Sequence, residues 1–323
     1  MALAKKLGVA TKAGEITSRS PRQIAWMRFK RNKVGMVAAW VSVIILMLSL
    51  FAPLVCKVLG INPDELNLDL IDSSGIPTLP NGGISLEHPL GLTPGIGRDL
   101  LANLLYGSRI SFTVAILTTS MTLFIGLIVG IVGGYFRGRI DDYLGRFTDF
   151  LLAFPAFFMI VALSDPMVAR IQDIGLAQGN SARIVFLIFF LSFFGWPGFS
   201  RLVRSQVLSL RERDFVTAAQ AMGASRRRII FKELLPNLWA PILVTVALNI
   251  PTMITAEAAL TFLGAGVIDP ASDWGAMLLA SVPFYSINPT YTFIPGFALF
   301  LLVLSFSLLG DSIRDALDPR GSR

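Results

Sequence analysis

The chain has 323 residues, of which 54% are hydrophobic and 15% charged, and its mean hydropathy is +0.66. Soluble domains carry about 25% charged residues, so the composition points to a membrane protein. One cysteine, Cys56, and one histidine, His88, exclude an intrachain disulfide and argue against a metal centre built on Cys and His. No GxxxxGK[ST] phosphate loop, GxSxG elbow or HExxH helix occurs, so nothing in the sequence argues for catalysis or for nucleotide binding through such a loop.

In chain order, residues 1–33 form a basic arm with nine Lys or Arg against a single acid, Glu15. The apolar run that follows, Val34–Val55, is uncharged and too long for a cleavable signal, so it is read as a retained first span, 34–56. Uncharged runs recur at Ile110–Gly134, Phe150–Ser164, Ile184–Ser200, Leu234–Ala256 and Thr290–Gly310. The expectation is an all-α integral membrane protein of six transmembrane helices with both termini on one side. An external loop spans 57–108, a five-helix core 109–311 and a tail 312–323.

The charges test this topology. Twenty-three of the 28 Lys and Arg fall in the basic arm, in 135–148, in 201–236 and after Gly310, the bias expected of cytoplasmic segments. Asp64, Glu65, Asp69, Asp72, Glu87, Asp99, Asp269 and Asp273 fall on the other face. The formal net charge of +7 thus reflects orientation in a membrane and does not signal nucleic-acid binding. On the outer face, 60–106 reads as an irregular loop rich in Pro, Gly, Asn and Asp, and 165–183 as a polar stretch. Asp273 is placed to cap a short helix over Trp274–Leu279, far too brief to span. No internal duplication is evident, so a partner related by pseudo-two-fold symmetry is expected to complete any pathway.

The segment Arg201–Pro236 stands out as a long, basic, helix-prone loop between two spans. Asp214 is placed to cap a helix over Phe215–Met222, Gly223 suits the left-handed residue that ends it, and Ser225 can cap a second helix that Pro236 closes. Phe215, Ala219 and Met222 share a face at helical spacing, while Ala218 and Ala219 leave room for close approach. Such a face fits a groove in another protein; Arg226-Arg227-Arg228 would equally favour a surface held by lipid headgroups. In the spans, Glu257 is the one clear charged residue. It either faces a translocation pathway or makes a structural pairing. Asn249 and Pro251 sit mid-span, where hydrogen bonding between helices, a kink or pathway lining are all open. Asp149, near the cytoplasmic end of the third span, is positioned to anchor the loop.

Ala218-Ala219, Gly223 and then Leu235-Pro236 resemble the EAA loop of the membrane subunits of binding-protein-dependent ABC importers. The family's leading Glu is Thr217 here, and Glu233 stands two before Leu-Pro. His88-Pro89-Leu90-Gly91, Gly97-Arg98-Asp99, Tyr106–Ser111, Glu257–Gly264, Trp274–Leu278 and the stretch from Leu309 to Arg320 further resemble the second, C-type permease branch of the dipeptide, oligopeptide and nickel importers. This resemblance implies a type I importer permease fold whose cytoplasmic coupling helix sits in a cleft of an ATPase subunit. Asp214, Phe215, Ala218, Ala219, Met222, Gly223, Leu235 and Pro236 are then the coupling residues. It also implies a homologous permease, two ATPase subunits carrying ATP and Mg, and an external binding protein as partners, with no cofactor on this chain. Short peptides are the implied substrate, with a nickel chelate or glutathione as alternatives within the class. An ion-coupled secondary carrier and a non-transporting scaffold are the competing classes.

Overall fold

A computed structural model describes residues 21–317. The basic arm before Pro21 and the tail beyond Leu317 lie outside them. A short helix α1 (Pro21–Arg31) leads into α2 (Lys33–Leu50) and α3 (Ala52–Leu59). Pro53 lies in the first turn of α3, where its missing N–H interrupts the helical ladder. After a segment of turns that holds a 3-10 turn, Leu68–Leu70, and a short irregular coil, α4 (Pro80–Gly83), in which Asn81 and Gly82 are left-handed, come α5 (Leu100–Phe136), α6 (Arg139–Ala153), α7 (Ala156–Asp173) and α8 (Gly179–Arg211). Two short elements, α9 (Asp214–Ala221) and α10 (Arg226–Arg228), precede α11 (Trp239–Phe262), α12 (Trp274–Ser281) and α13 (Pro289–Leu317). Extended pairing among the described residues is limited to two isolated bridges, Ile71 with Pro77 and Leu92 with Asp99.

Five helices, α2, α5, α8, α11 and α13, are long and apolar enough to cross a membrane, and the count is six when the pair α6–α7, bent by 79°, is taken as one broken span. The break has a local cause. Phe154 precedes Pro155 and takes an extended conformation, φ −75° and ψ 137°, because the pyrrolidine ring bars the helical region to the residue before it.

Several helices run further than the uncharged runs indicate. The 37 residues of α5 measure about 55 Å at the helical rise, well beyond a hydrocarbon core. Arg201–Arg211, expected as loop, continues α8, and much of the expected outer stretch 165–183 is the end of α7 and the start of α8. The end of the 60–106 segment is likewise the first two turns, roughly, of α5, capped by Asp99, whose Oδ1 accepts from Ala102 N at 2.7 Å.

The centre of the bundle is the α5–α8 pair. Gly126, Gly130 and Gly134 lie four residues apart on one stripe of α5. A Cβ built on them would stand 2.8 Å from the Phe199 ring, 2.6 Å from Val203 Cβ and 2.9 Å from Val207 Cβ. Lipid removes the hydrophobic drive between helices, so van der Waals contact at small residues has to supply it. The same device recurs where Gly310 of α13 meets Leu248 of α11 and where Gly35 of α2 meets Ser312 of α13. Asn32 Nδ2 also donates to Ser312 Oγ at 3.1 Å, which brings the start of α2 and the end of α13 together. The exposed apolar faces, Trp40, Ile44 and Met47 on α2 among them, are those a membrane-spanning bundle turns to lipid.

Gly130→Ala is therefore expected to destabilise the protein by about 1–3 kcal/mol through overpacking, seen as a lower thermal midpoint in detergent. Gly145→Ala on α6, whose new Cβ meets nothing within 4 Å, leaves the midpoint unchanged or raises it.

Candidate coupling interface

Leaving α8 at Arg211, the chain turns through Glu212 and Arg213 into α9. Met222 N bonds Ala218 O at 3.0 Å, Gly223 N bonds Gln220 O at 2.9 Å and Ala224 N bonds Ala219 O at 3.0 Å. This closes the carbonyl end of α9 in a Schellman pattern that needs Gly223 at φ +78°. Ser225 Oγ then accepts from Arg228 N at 3.4 Å, capping α10 as the sequence indicates. The helical run continues through a π-helical stretch, Ile229–Leu234, and a 3-10 turn, Leu235–Asn237, into α11.

Two corrections follow. Asp214 is not the cap: Arg213 occupies that position without a side-chain bond, and Asp214 is the first helical residue. Its charge still suits the positive end of the helix dipole. With the cap moved back by one residue, the capping-box position is Val216. Thr217 lies a residue beyond it, where its Oγ1 donates to Arg213 O at 3.3 Å, so the missing Glu is not a missing cap.

The second correction concerns the face. Val216 is fully buried and Ala219 is 5% exposed, so Ala219 points inward, away from Phe215 and Met222. The outward stripe is Phe215, Ala218 and Met222, with Met222 79% exposed. Inward, Val216 packs with Val203 and Val207 of α8, Ile131 and Tyr135 of α5, and Ile229, Leu234 and Leu238 from the run into α11. Leu235 is half-buried against this cluster and Pro236 is exposed. The sequence reading missed Val203, Val207, Val216, Ile229 and Leu234. Their signal was present as apolar residues at three- and four-residue spacing that persists past Arg201 and Arg204.

Ion pairs brace the base of this element. Arg204 clasps Asp141 of α6 through Nε and Nη2 at 2.5 and 2.6 Å, a two-pronged geometry that fixes orientation as well as distance. Asp149 pairs with Arg201, so it ties α6 to the extension of α8. Arg137 meets Glu212 at 2.6 Å, Arg211 donates to the Tyr135 carbonyl and Arg226 lies 5.8 Å over the Phe136 ring.

Asn249 and Glu257 lie elsewhere, on α11. Asn249 is half-buried. Glu257 is fully buried toward the far end of the bundle. Its Oε1 accepts from Thr261 and its Oε2 from Ser111 of α5, both at 2.9 Å. Asp273 caps α12 as expected, its Oδ1 accepting from Gly275 N at 2.9 Å and Ala276 N at 3.1 Å. Nearby, Arg98 pairs with Asp269 at 2.7 Å and His88 with Asp99 at 2.9 Å. No group of three or more His, Cys, Asp or Glu able to hold a metal occurs among the described residues.

A six-span helical bundle that presents a braced, outward-facing helix between two spans has the build of a type I importer permease. In keeping with this, the fold matches a chain of the MetNI methionine ABC transporter in an inward-facing conformation, with a TM-score of 0.53 at 20% identity over 67% of this chain and 96% of that one. Residues 122–323 match the model of the binding-protein-dependent transport system inner membrane component, and residues 20–69 match that of the N-terminal transmembrane domain of oligopeptide transport permease C. The dipeptide transport system permease protein DppC of Alkalihalophilus pseudofirmus is 35% identical over 95% of this chain and 92% of its own length. The oligopeptide permease OppC of Bacillus subtilis is 33% identical over 92% and 88%. The glutathione permease GsiD of Pectobacterium atrosepticum is 33% identical over 94% and 92%. The chain belongs to the family of binding-protein-dependent transport system inner membrane components.

The two alanines of α9 separate packing from docking. Ala219→Leu is expected to destabilise the protein by about 1–3 kcal/mol through overpacking beside Val216, whereas Ala218→Leu changes stability by less than about 0.5 kcal/mol. Thermal denaturation of the purified chain distinguishes them.

Proposed function

We propose that this chain is one of two permease subunits of an ATP-driven importer of short peptides and that α9 is its coupling helix. The observation that carries this reading is the division of α9 into two faces. Val216 and Ala219 are fused to the bundle, while Phe215, Ala218 and Met222 stand free at the surface. An exposed methionine and phenylalanine flanking an alanine suit a groove lined by another protein, where a flexible thioether fills gaps. The partner in this reading is one of two ATPase subunits, which carry the ATP and Mg. Leu235 and Pro236 set the return of the chain into α11, Gly223 ends the docking helix, and Asp214 places a negative charge in its first turn.

The basic segments orient this end of the bundle, with both termini, toward the cytoplasm of a bacterial or archaeal cell. A homologous permease supplies the other half of the pathway, and an external binding protein delivers substrate to the opposite face. Closure of the ATPases on ATP moves α9. Its cluster with Val203, Val207, Ile131 and Leu238 passes that motion to α5, α8 and α11 as a rigid-body shift. The substrate reading rests on relatives named for dipeptide and oligopeptide transport. Glutathione, named for another relative, is itself a tripeptide and is the alternative.

In the reconstituted complex, uptake of labelled di- and oligopeptides is expected to require ATP and to survive dissipation of the ion gradients. Uptake that stops with an uncoupler while ATP is present contradicts the proposal. The double substitution Ala218→Glu with Met222→Glu is expected to abolish co-purification of the ATPase subunits and reduce uptake at least about tenfold, the effect of losing about 1.4 kcal/mol of docking energy. The thermal midpoint of the chain itself should hold.

A further inference from the structure

Glu257 and Asp273 are both fully buried and come from different elements, the last turns of α11 and the cap of α12. They meet at one hydroxyl. Ser111 Oγ of α5 lies 2.9 Å from Glu257 Oε2 and 3.4 Å from Asp273 Oδ2. A serine hydroxyl carries one hydrogen and cannot donate to both. The other two carboxyl oxygens are already occupied, Glu257 Oε1 by Thr261 and Asp273 Oδ1 by the amides of Gly275 and Ala276. One hydrogen is therefore missing from an otherwise complete network.

No cation is at hand to replace it. Among the described residues neither carboxyl has a Lys, Arg or His within ion-pairing distance. Arg98 and Tyr291 of α13 line the same cleft as Asp273, but Nη1 of Arg98 pairs with Asp269, its Nε has no partner, and it makes no ion pair with either buried carboxyl. On α5, Arg109 lies over the Tyr106 ring and Asp99 at the helix start is paired with His88. Glu257 is the only ionisable residue in α11, and α12 has none. Two unscreened negative charges on one buried serine would repel strongly.

We propose that Glu257 and Asp273 hold a single proton between them, and that this proton latches α12 onto α5 and α11. With it, every oxygen of the pair has a hydrogen-bond partner and the network carries one negative charge instead of two. The latch sits at a close backbone approach: a Cβ on Gly275 of α12 would stand 2.3 Å from the Ala258 carbonyl of α11. Burial acts in the same direction, holding the Asp273 carboxyl above its ordinary value against the hydrogen bonds it accepts. A carboxyl with a raised folded value stabilises fully below its unfolded value, and that stabilisation is lost as pH rises through the folded one. The latch therefore weakens as pH rises above the ordinary carboxyl range.

The test uses the assembled importer in nanodiscs. Infrared spectroscopy of the wild type is expected to show the carbonyl band of a buried, protonated carboxyl. That band is lost in Asp273→Asn and in Glu257→Gln, because an amide N–H takes the place of the proton. Asp273→Asn keeps a competent helix cap, so its thermal midpoint is expected to lose the decline that the wild type shows as pH rises above the ordinary carboxyl range. Either variant alone reads the band. Absence of the band from the wild type, its persistence in either variant, or an unchanged decline with rising pH in Asp273→Asn would overturn the proposal.

Discussion

The close approach of α5 and α8 is the constraint on which the rest of the structure depends. Three glycines at four-residue spacing let the two longest helices touch backbone to side chain, with Gly130 against Val203 and the Ser200 carbonyl. In lipid this contact cannot be replaced by burying more apolar surface, because both states are equally apolar. The seam does not stop where the uncharged residues stop. Gly134 seats Val207, and Val207 in turn shares a cluster with Val216, Ile229, Leu234 and Leu238. One packed line thus runs from the middle of the bundle to the inner face of α9. Interiors packed to this density move as units and do not deform gradually, which is the property a coupling element needs.

At the far end the physics is polar. The helix α12 is too short to hold itself in place, and it is fixed by what its cap residue touches as much as by its apolar faces. Asp273 satisfies two amides of its own helix and faces a hydroxyl that Glu257 also uses. Arg98 with Asp269, and Asn180 with the backbone of Ile268, fasten the preceding loop to the segment that enters α5 and to α8. The α9 end therefore combines van der Waals packing with ion pairs, while the far end relies more on buried hydrogen bonds around Asp273.

Much of this was legible in the sequence where the signal is local. Six uncharged runs located six spans, and Gly223, Ser225 and Asp273 marked turns and caps because capping chemistry is decided within a few residues. Helix extents were not legible. Arg201, Arg204 and Arg211 looked like loop, yet their charges are met by Asp149, Asp141 and the Tyr135 carbonyl, partners remote in sequence. The orientation of α9 failed for a similar reason. Spacing permits Ala219 to share a face with Phe215 or with Val216, and only the bundle beside it decides. The meeting of Ser111, Glu257 and Asp273 is likewise a product of tertiary packing that no periodicity announces.

The central claim is that α9 is fixed to the spans on one face and meets an ATPase with the other. Cys56 is buried, so Met222→Cys places the one exposed thiol of the described residues at the tip of this face. In the assembled importer, a short thiol-reactive crosslinker on residue 222 is expected to join this chain to an ATPase subunit. Leu86→Cys, fully exposed at the opposite end, should give no such product. A crosslink to the ATPase from residue 86, or none from residue 222 in a complex that hydrolyses ATP, would contradict the account.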